Sequence, residues 1–283
     1  MLWIAGASSL AYMLATSVGV WPAIHALSLA AAFLVGYQWQ SPWPWHVLAW
    51  VLLANLAAAL WFGTEYGIAG NPNYFGVTLA IALAGCFAYS LWWYTPLLVF
   101  GIYWTNSRTA MGGAAVALFL GVWRRYPAIA WCLALLAILG AVTVVKGDGS
   151  IAQRLGIWQM AINNITVLGS GWGSFTSAID ALPVKTNLTA MLAPAAYNDF
   201  LQLVFELGIG VIPLLVFVAL CCDGRDEGAW TVIATYAIMS LTYFPLWVPV
   251  AGHFTMLALG QLAASPKERI RQWRVGDLPR VIT

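Results

Sequence analysis

The stretch FGVTLAIALAGCFAYSLWW, Phe75 to Trp93, has no charged residue and ends in paired tryptophans. A helix needs roughly 20 apolar residues to cross about 30 Å of hydrocarbon, so this segment reads as a membrane span. Similar runs fill most of the chain. Spans are expected at Leu2–Val20, Pro22–Tyr37, Trp45–Phe62, Phe75–Trp93, Thr95–Trp104, Arg108–Trp123, Pro127–Val145, Phe200–Cys222, Trp230–Pro245 and Pro249–Ala264. The expected fold class is all-α: a polytopic transmembrane helix bundle of about ten spans, with residues 1–283 as a single transmembrane domain. Composition agrees, since 62% of residues are apolar and 8% charged, where a soluble domain has about 25% charged. Leu2–Val20 lacks a basic leader and runs straight into more apolar sequence, so it reads as a first span and not a cleaved signal.

Aromatic residues and charges set the expected topology. Trp39–Trp45, Trp92–Tyr94, Trp123–Tyr126 and Tyr243–Trp247 bracket the apolar runs, where amphipathic rings favour the headgroup layer. Short cytoplasmic loops carry excess Lys and Arg, which puts Arg124–Arg125, Arg225 and the tail with Lys267, Arg269, Arg271, Arg274 and Arg280 inside. Arg108, Lys146, Arg154 and Lys185 then fall outside, and residues 146–199 become one long exterior loop carrying short amphipathic helices. Thr95–Trp123 is expected to turn at Thr105–Ser107, because an Arg at mid-membrane is costly and the Thr-Asn-Ser run suits a turn.

Several function classes drop out. A net charge of +2 without a basic stripe outside the tail argues against a nucleic-acid partner. Cys86, Cys132, Cys221 and Cys222 lack zinc-site spacing and read as packing residues. No metal-ligand spacing or Ser/His/Asp arrangement is present, and no cofactor is expected. His25 and His46 read as satisfied core or interfacial residues, whereas His253 falls about one turn into the last span, on the side of Arg108 and Arg154.

The polar residues that remain near the exterior face are the candidates for chemistry. Arg108 either anchors a helix end at the interface or lines a wet cavity. Arg154, in Gln153-Arg154-Leu155-Gly156-Ile157-Trp158, opens a half-apolar helix expected to lie along the membrane surface, as a solvated charge or a ligand-binding one. Gly169-Ser170-Gly171-Trp172-Gly173-Ser174-Phe175 is either a turn aiming N–H groups at an anion or a tight bend. Asn198, Gln202 and Glu206 share one helical face by their four-residue spacing, as a packing ladder or as the wall of a substrate chamber.

In order along the chain, Gly70-Asn71-Pro72-Asn73, Ser107-Arg108, Arg154 with Trp158, Gly169–Phe175 and Asn198–Gly208 resemble the motifs of the O-antigen ligase/polymerase family. The last resembles that family's His-Asn-x-x-Leu-Gln-x-x-x-Glu-x-Gly helix, with Tyr197 where the family has histidine. The first and last seventy residues or so match only as generic spans. The resemblance implies an enzyme of the bacterial inner membrane, multi-pass and active on the periplasmic face. It would move a glycan from an undecaprenyl-pyrophosphate carrier to a glycolipid, another lipid-linked glycan or a protein, with membrane lipids as further partners. It also implies that Arg108, Arg154 and Tyr197 are catalytic and that Trp158, Asn198, Gln202 and Glu206 bind substrate.

The chemistry suits these residues. A departing diphosphate gathers negative charge, and guanidinium forks can hold its oxygens in a partly dry site without a metal. Tyr197 is a poor general base beside the family's histidine, so Asp199 and His253 stand as alternatives, as does catalysis by leaving-group stabilisation alone. Two other readings stay open: a membrane transporter of the same broad family, and an inactive member kept as an assembly partner.

Overall fold

The computed structural model describes residues 2–39, 41–64, 71–123, 126–132, 149–181, 195–222 and 227–264. They form twelve α-helices: α1 Leu2–Thr16, α2 Val20–Gln38, α3 Trp43–Trp61, α4 Pro72–Ala88, α5 Thr95–Trp104, α6 Arg108–Trp123, α7 Gly149–Asn163, α8 Phe175–Asp180, α9 Asp199–Leu207, α10 Val211–Cys222, α11 Glu227–Ser240 and α12 Pro249–Ala263. The all-α class stands. Three helical stretches are long and apolar enough to cross a membrane: Val20–Gln38, Trp43–Trp61 and Asp199–Cys221, with several shorter apolar helices beside them. The basic residues expected inside, together with Gly70, Lys146, Lys185 and most of Pro127–Val145, lie outside the described residues.

The opening stretch becomes the centre of the bundle. Every residue from Phe75 to Phe87 is buried, on all sides of α4, and a helix apolar all round belongs in the interior. Its start is fixed locally: Asn71 Oδ1 accepts the Asn73 N–H at 2.8 Å and Pro72 occupies the first turn, the pairing that favours helix initiation. It ends at Ala88, short of Trp93, because Ser90 takes φ 59° and Trp92–Tyr94 form a separate 3₁₀ turn. The chain does turn at Thr105–Ser107, with Asn106 at φ 51°. Gly76 makes this junction possible, since a Cβ there would lie 2.7 Å from Thr105 Oγ1 and 2.9 Å from both Ser107 Cβ and Ala110 Cβ. The Asn71–Asn73 and Ser107–Arg108 motifs therefore meet at one end of the bundle.

The expected Phe200–Cys222 span corresponds to Asp199–Cys221, which is long and apolar enough to cross a membrane but is not one regular helix. The helix starts at Asp199 and breaks at Gly208–Gly210, a 3₁₀ turn between α9 and α10. Gly208 sits at φ 52°, a conformation open to glycine, and a Cβ on it would strike Val167 O and Gly169 N. The break leaves helix carbonyls to be satisfied from elsewhere. Ser170 N donates to Phe205 O at 3.1 Å, Gly171 N to Glu206 O at 2.8 Å, and Ile209 N to Val167 O at 2.8 Å.

Candidate functional site

Helix α7 brings the first pair of residues in. Its Ile157 and Ala161, one turn apart, are buried against Phe175, Ile179, Ala196 and Phe205, which seats α7 on α8 and α9. That register points Trp158 at the chain before Tyr197, where the indole Nε1 donates to Ala196 O at 2.7 Å. Arg154, one turn earlier, donates from Nη1 to Thr242 O at 2.9 Å. Its guanidinium carbon lies 5.2 Å from the centre of the Tyr197 ring, in the range of a cation–π contact.

Tyr197 is held in an unusual backbone state, φ 53°, one that a non-glycine residue adopts at a cost of order 1–3 kcal/mol. Its ring packs 5.5 Å from that of Phe244 and 6.2 Å from that of Tyr243, and Tyr74, just after the Asn71–Asn73 cap, meets the same two rings. Asn198 then caps α9, its Oδ1 accepting Leu201 N at 2.9 Å while its Nδ2 donates to Leu241 O at 3.2 Å.

Arg108 opens α6 with an exposed side chain. The next residue, Thr109, places its hydroxyl 3.3 Å from that of Thr242, whose carbonyl holds Arg154. Both arginines thus belong to the same end of the bundle. The residues from Leu241 to Leu246 tie the site together, where the sequence pattern predicts the end of a span and an interfacial aromatic cluster at Tyr243–Trp247. The signal was there in Tyr243-Phe244-Pro245, aromatic residues beside a turn former, but nothing local assigns them to Tyr197.

The lower part of the shared face is internal. Gln202 is 4% exposed and Glu206 0%. Gln202 accepts from Ala196 N at 3.2 Å and donates to Glu206 Oε1 at 3.0 Å. Glu206 also accepts from Gly173 N at 2.9 Å and Phe175 N at 3.2 Å. The glycine-rich segment does aim N–H groups at an anion, and that anion is the protein's own carboxylate. For Gln202 and Glu206, packing is the reading their contacts satisfy.

Both alternative bases have hydrogen-bond partners of their own. Asp199 is fully buried, its Oδ2 accepting from Tyr236 Oη at 3.0 Å, Ser240 Oγ at 3.1 Å and Leu246 N at 2.9 Å. These bonds pin the 241–246 segment that carries Thr242. His253 Nε2 lies 2.8 Å from Ser28 Oγ on α2, with the His25 ring 5.8 Å away. His25 in turn approaches Leu246 O at 3.1 Å, and His46 pairs with Tyr94 at the opposite end of the bundle. Among the described residues no group of three or more His, Cys, Asp or Glu is placed to hold a metal. No protein-family model matches the chain, and no curated protein matches it.

Proposed function

We propose that this chain is a multi-pass glycosyltransferase of the bacterial inner membrane, of O-antigen ligase type, acting on lipid-linked glycans at the periplasmic face. The observation that carries the reading is the meeting of Arg154, Tyr197 and the start of α6 with Arg108 around Thr242. In the proposed step the acceptor hydroxyl oxygen attacks the anomeric carbon while the bond from that carbon to the diphosphate oxygen breaks. The leaving diphosphate keeps the bonding electrons, and the hydroxyl proton passes to it or to solvent. Guanidinium donors aimed where that charge develops lower the barrier, the electrostatic contribution that is often the largest in such reactions. Tyr197 orients the acceptor against Arg154, and Gln202, Glu206 and Asp199 hold the frame. Expressing the chain in strains lacking either the ligase or the polymerase tests this. Restored attachment of glycan to lipopolysaccharide supports the ligase, restored chain length supports the polymerase, and no change in either strain at normal membrane levels counts against both.

One observation favours a second reading, a transporter. Broken helices bearing buried ionisable groups are common around transport sites, and Asp199–Cys221 is interrupted between α9 and α10, with Asp199 and Glu206 fully buried. Against it, three backbone hydrogen bonds from the 167–171 segment close the break, whereas non-helical backbone at a permeation path lines a cavity. Solute uptake into vesicles containing the purified chain, without glycan transfer, would favour the transporter.

A further inference from the structure

Away from the Arg154 site, α1, α2, α10 and α12 enclose a cavity of about 230 Å³. Small side chains create it: Gly6 and Ala7 on α1 and Ala26 and Ala30 on α2 leave space beside Phe217 and Met256. The Ser9 hydroxyl on its wall donates to Ala5 O at 2.8 Å, so that donor is spent inside α1. Trp172 and Leu246 also line it, and Trp172 is fixed there by an indole bond to Pro22 O at 2.9 Å. Ala7 and Leu34 line the cavity yet are exposed, so it opens sideways between α1 and α2.

We propose that this cavity binds one hydrocarbon chain of a bilayer phospholipid. An apolar cavity of roughly 150 Å³ already stays dry and accepts an apolar guest, and this one is larger. Its mouth lies along α2, an apolar helix long enough to cross a membrane, so hydrocarbon is the medium it meets. Among the described residues no Lys or Arg lines it: Arg154 is held at Thr242 and Arg108 follows the turn at Thr105–Ser107. A phosphate or diphosphate therefore finds no partner inside, and the occupant is recognised by its chain alone. The site stands whether or not the chain is a glycosyltransferase.

The test uses the full chain in phosphatidylcholine vesicles containing a small fraction of phosphatidylcholine with a diazirine near the end of one acyl chain. After irradiation, adducts are mapped by mass spectrometry. Those on Met13, Leu29 and Met256 of the wall should exceed, several-fold, those on Trp50 and Val51, which face outward from α3 with 65% and 59% exposure. Ala30→Phe fills the space and should bring the wall down to the α3 level. Should that variant fail to fold, the smaller filling of Ala26→Val should lower the wall adducts partway. Equal labelling of wall and α3, or wall labelling that survives filling in a folded variant, overturns the proposal. Displacement of the label by undecaprenyl phosphate but not by unlabelled phosphatidylcholine also overturns it, assigning the cavity to an isoprenoid chain.

Discussion

At its C-terminal half, α9 turns Glu206 toward Gly173, Phe175 and Gln202, and both carboxylate oxygens have donors in a site closed to solvent. Two turns earlier, at the start of the same helix, Asn198 and Tyr197 face a half-exposed Arg154 that keeps hydrogen-bonding capacity beyond its one bond to Thr242. The two regions use similar residue types to opposite ends. A buried carboxylate is costly unless its oxygens find donors; Glu206 has them on both oxygens, whereas Asp199 at the start of the helix has them on Oδ2 alone. A cation left partly open has donors available for a ligand. Saturation marks the Glu206 end as frame, and incomplete saturation at the Arg154 end is what the proposed function draws on.

That contrast predicts different failures. Glu206→Ala strands the Gly173 and Phe175 N–H groups and one Gln202 donor, each worth about 1–3 kcal/mol when buried without a partner. Unfolding in mixed detergent should therefore show a loss of about 3 kcal/mol or more, with Glu206→Gln milder because it keeps an acceptor oxygen. A wild-type melting profile for Glu206→Ala would erase the distinction. Arg154→Lys should leave stability within about 0.5 kcal/mol yet lower glycan transfer roughly 10²-fold, since an ammonium cannot reproduce the planar fork. Full transfer by Arg154→Lys in a membrane assay would remove Arg154 from the chemistry.

Smaller effects sharpen the same boundary. Gly208→Ala puts a side chain at φ 52° against Val167 O and Gly169 N, and should cost about 1–3 kcal/mol, measurable by the same unfolding titration. Asn198→Ala removes the α9 cap, worth about 1 kcal/mol; a stability change well below that would mean that Leu241 and Leu201 are held by other contacts. Tyr197 meets Arg154, Tyr243 and Phe244 through its ring. Tyr197→Phe should accordingly keep transfer within about twofold, whereas Tyr197→His should move the pH dependence of transfer toward an imidazole near about 6.5. An unchanged pH profile in an active Tyr197→His variant would show that this position does not handle the proton.

Helicity and the apolar character of α2, α3 and α4 were legible in the chain, because twenty-residue runs without charge have few other ways to satisfy their backbone. The turn at Thr105–Ser107 was legible too, since it rests on local side-chain chemistry, whereas the expected start at Phe75 missed the Asn71 cap that opens α4 three residues earlier. The common face of Asn198, Gln202 and Glu206 followed from helical spacing, but its meaning did not: the partners of Gln202 and Glu206 come from the backbone of other segments, and a backbone N–H has no sequence signature. The same holds for Thr242, whose carbonyl receives Arg154 across 88 positions of chain, and for the break at Gly208, which exists because residues 167–171 dock there. Periodicity and capping are properties of neighbours along the chain, so the sequence alone determined where helices form. Which polar group is saturated and which is left open depends on contacts between distant segments, and only the tertiary packing decided that.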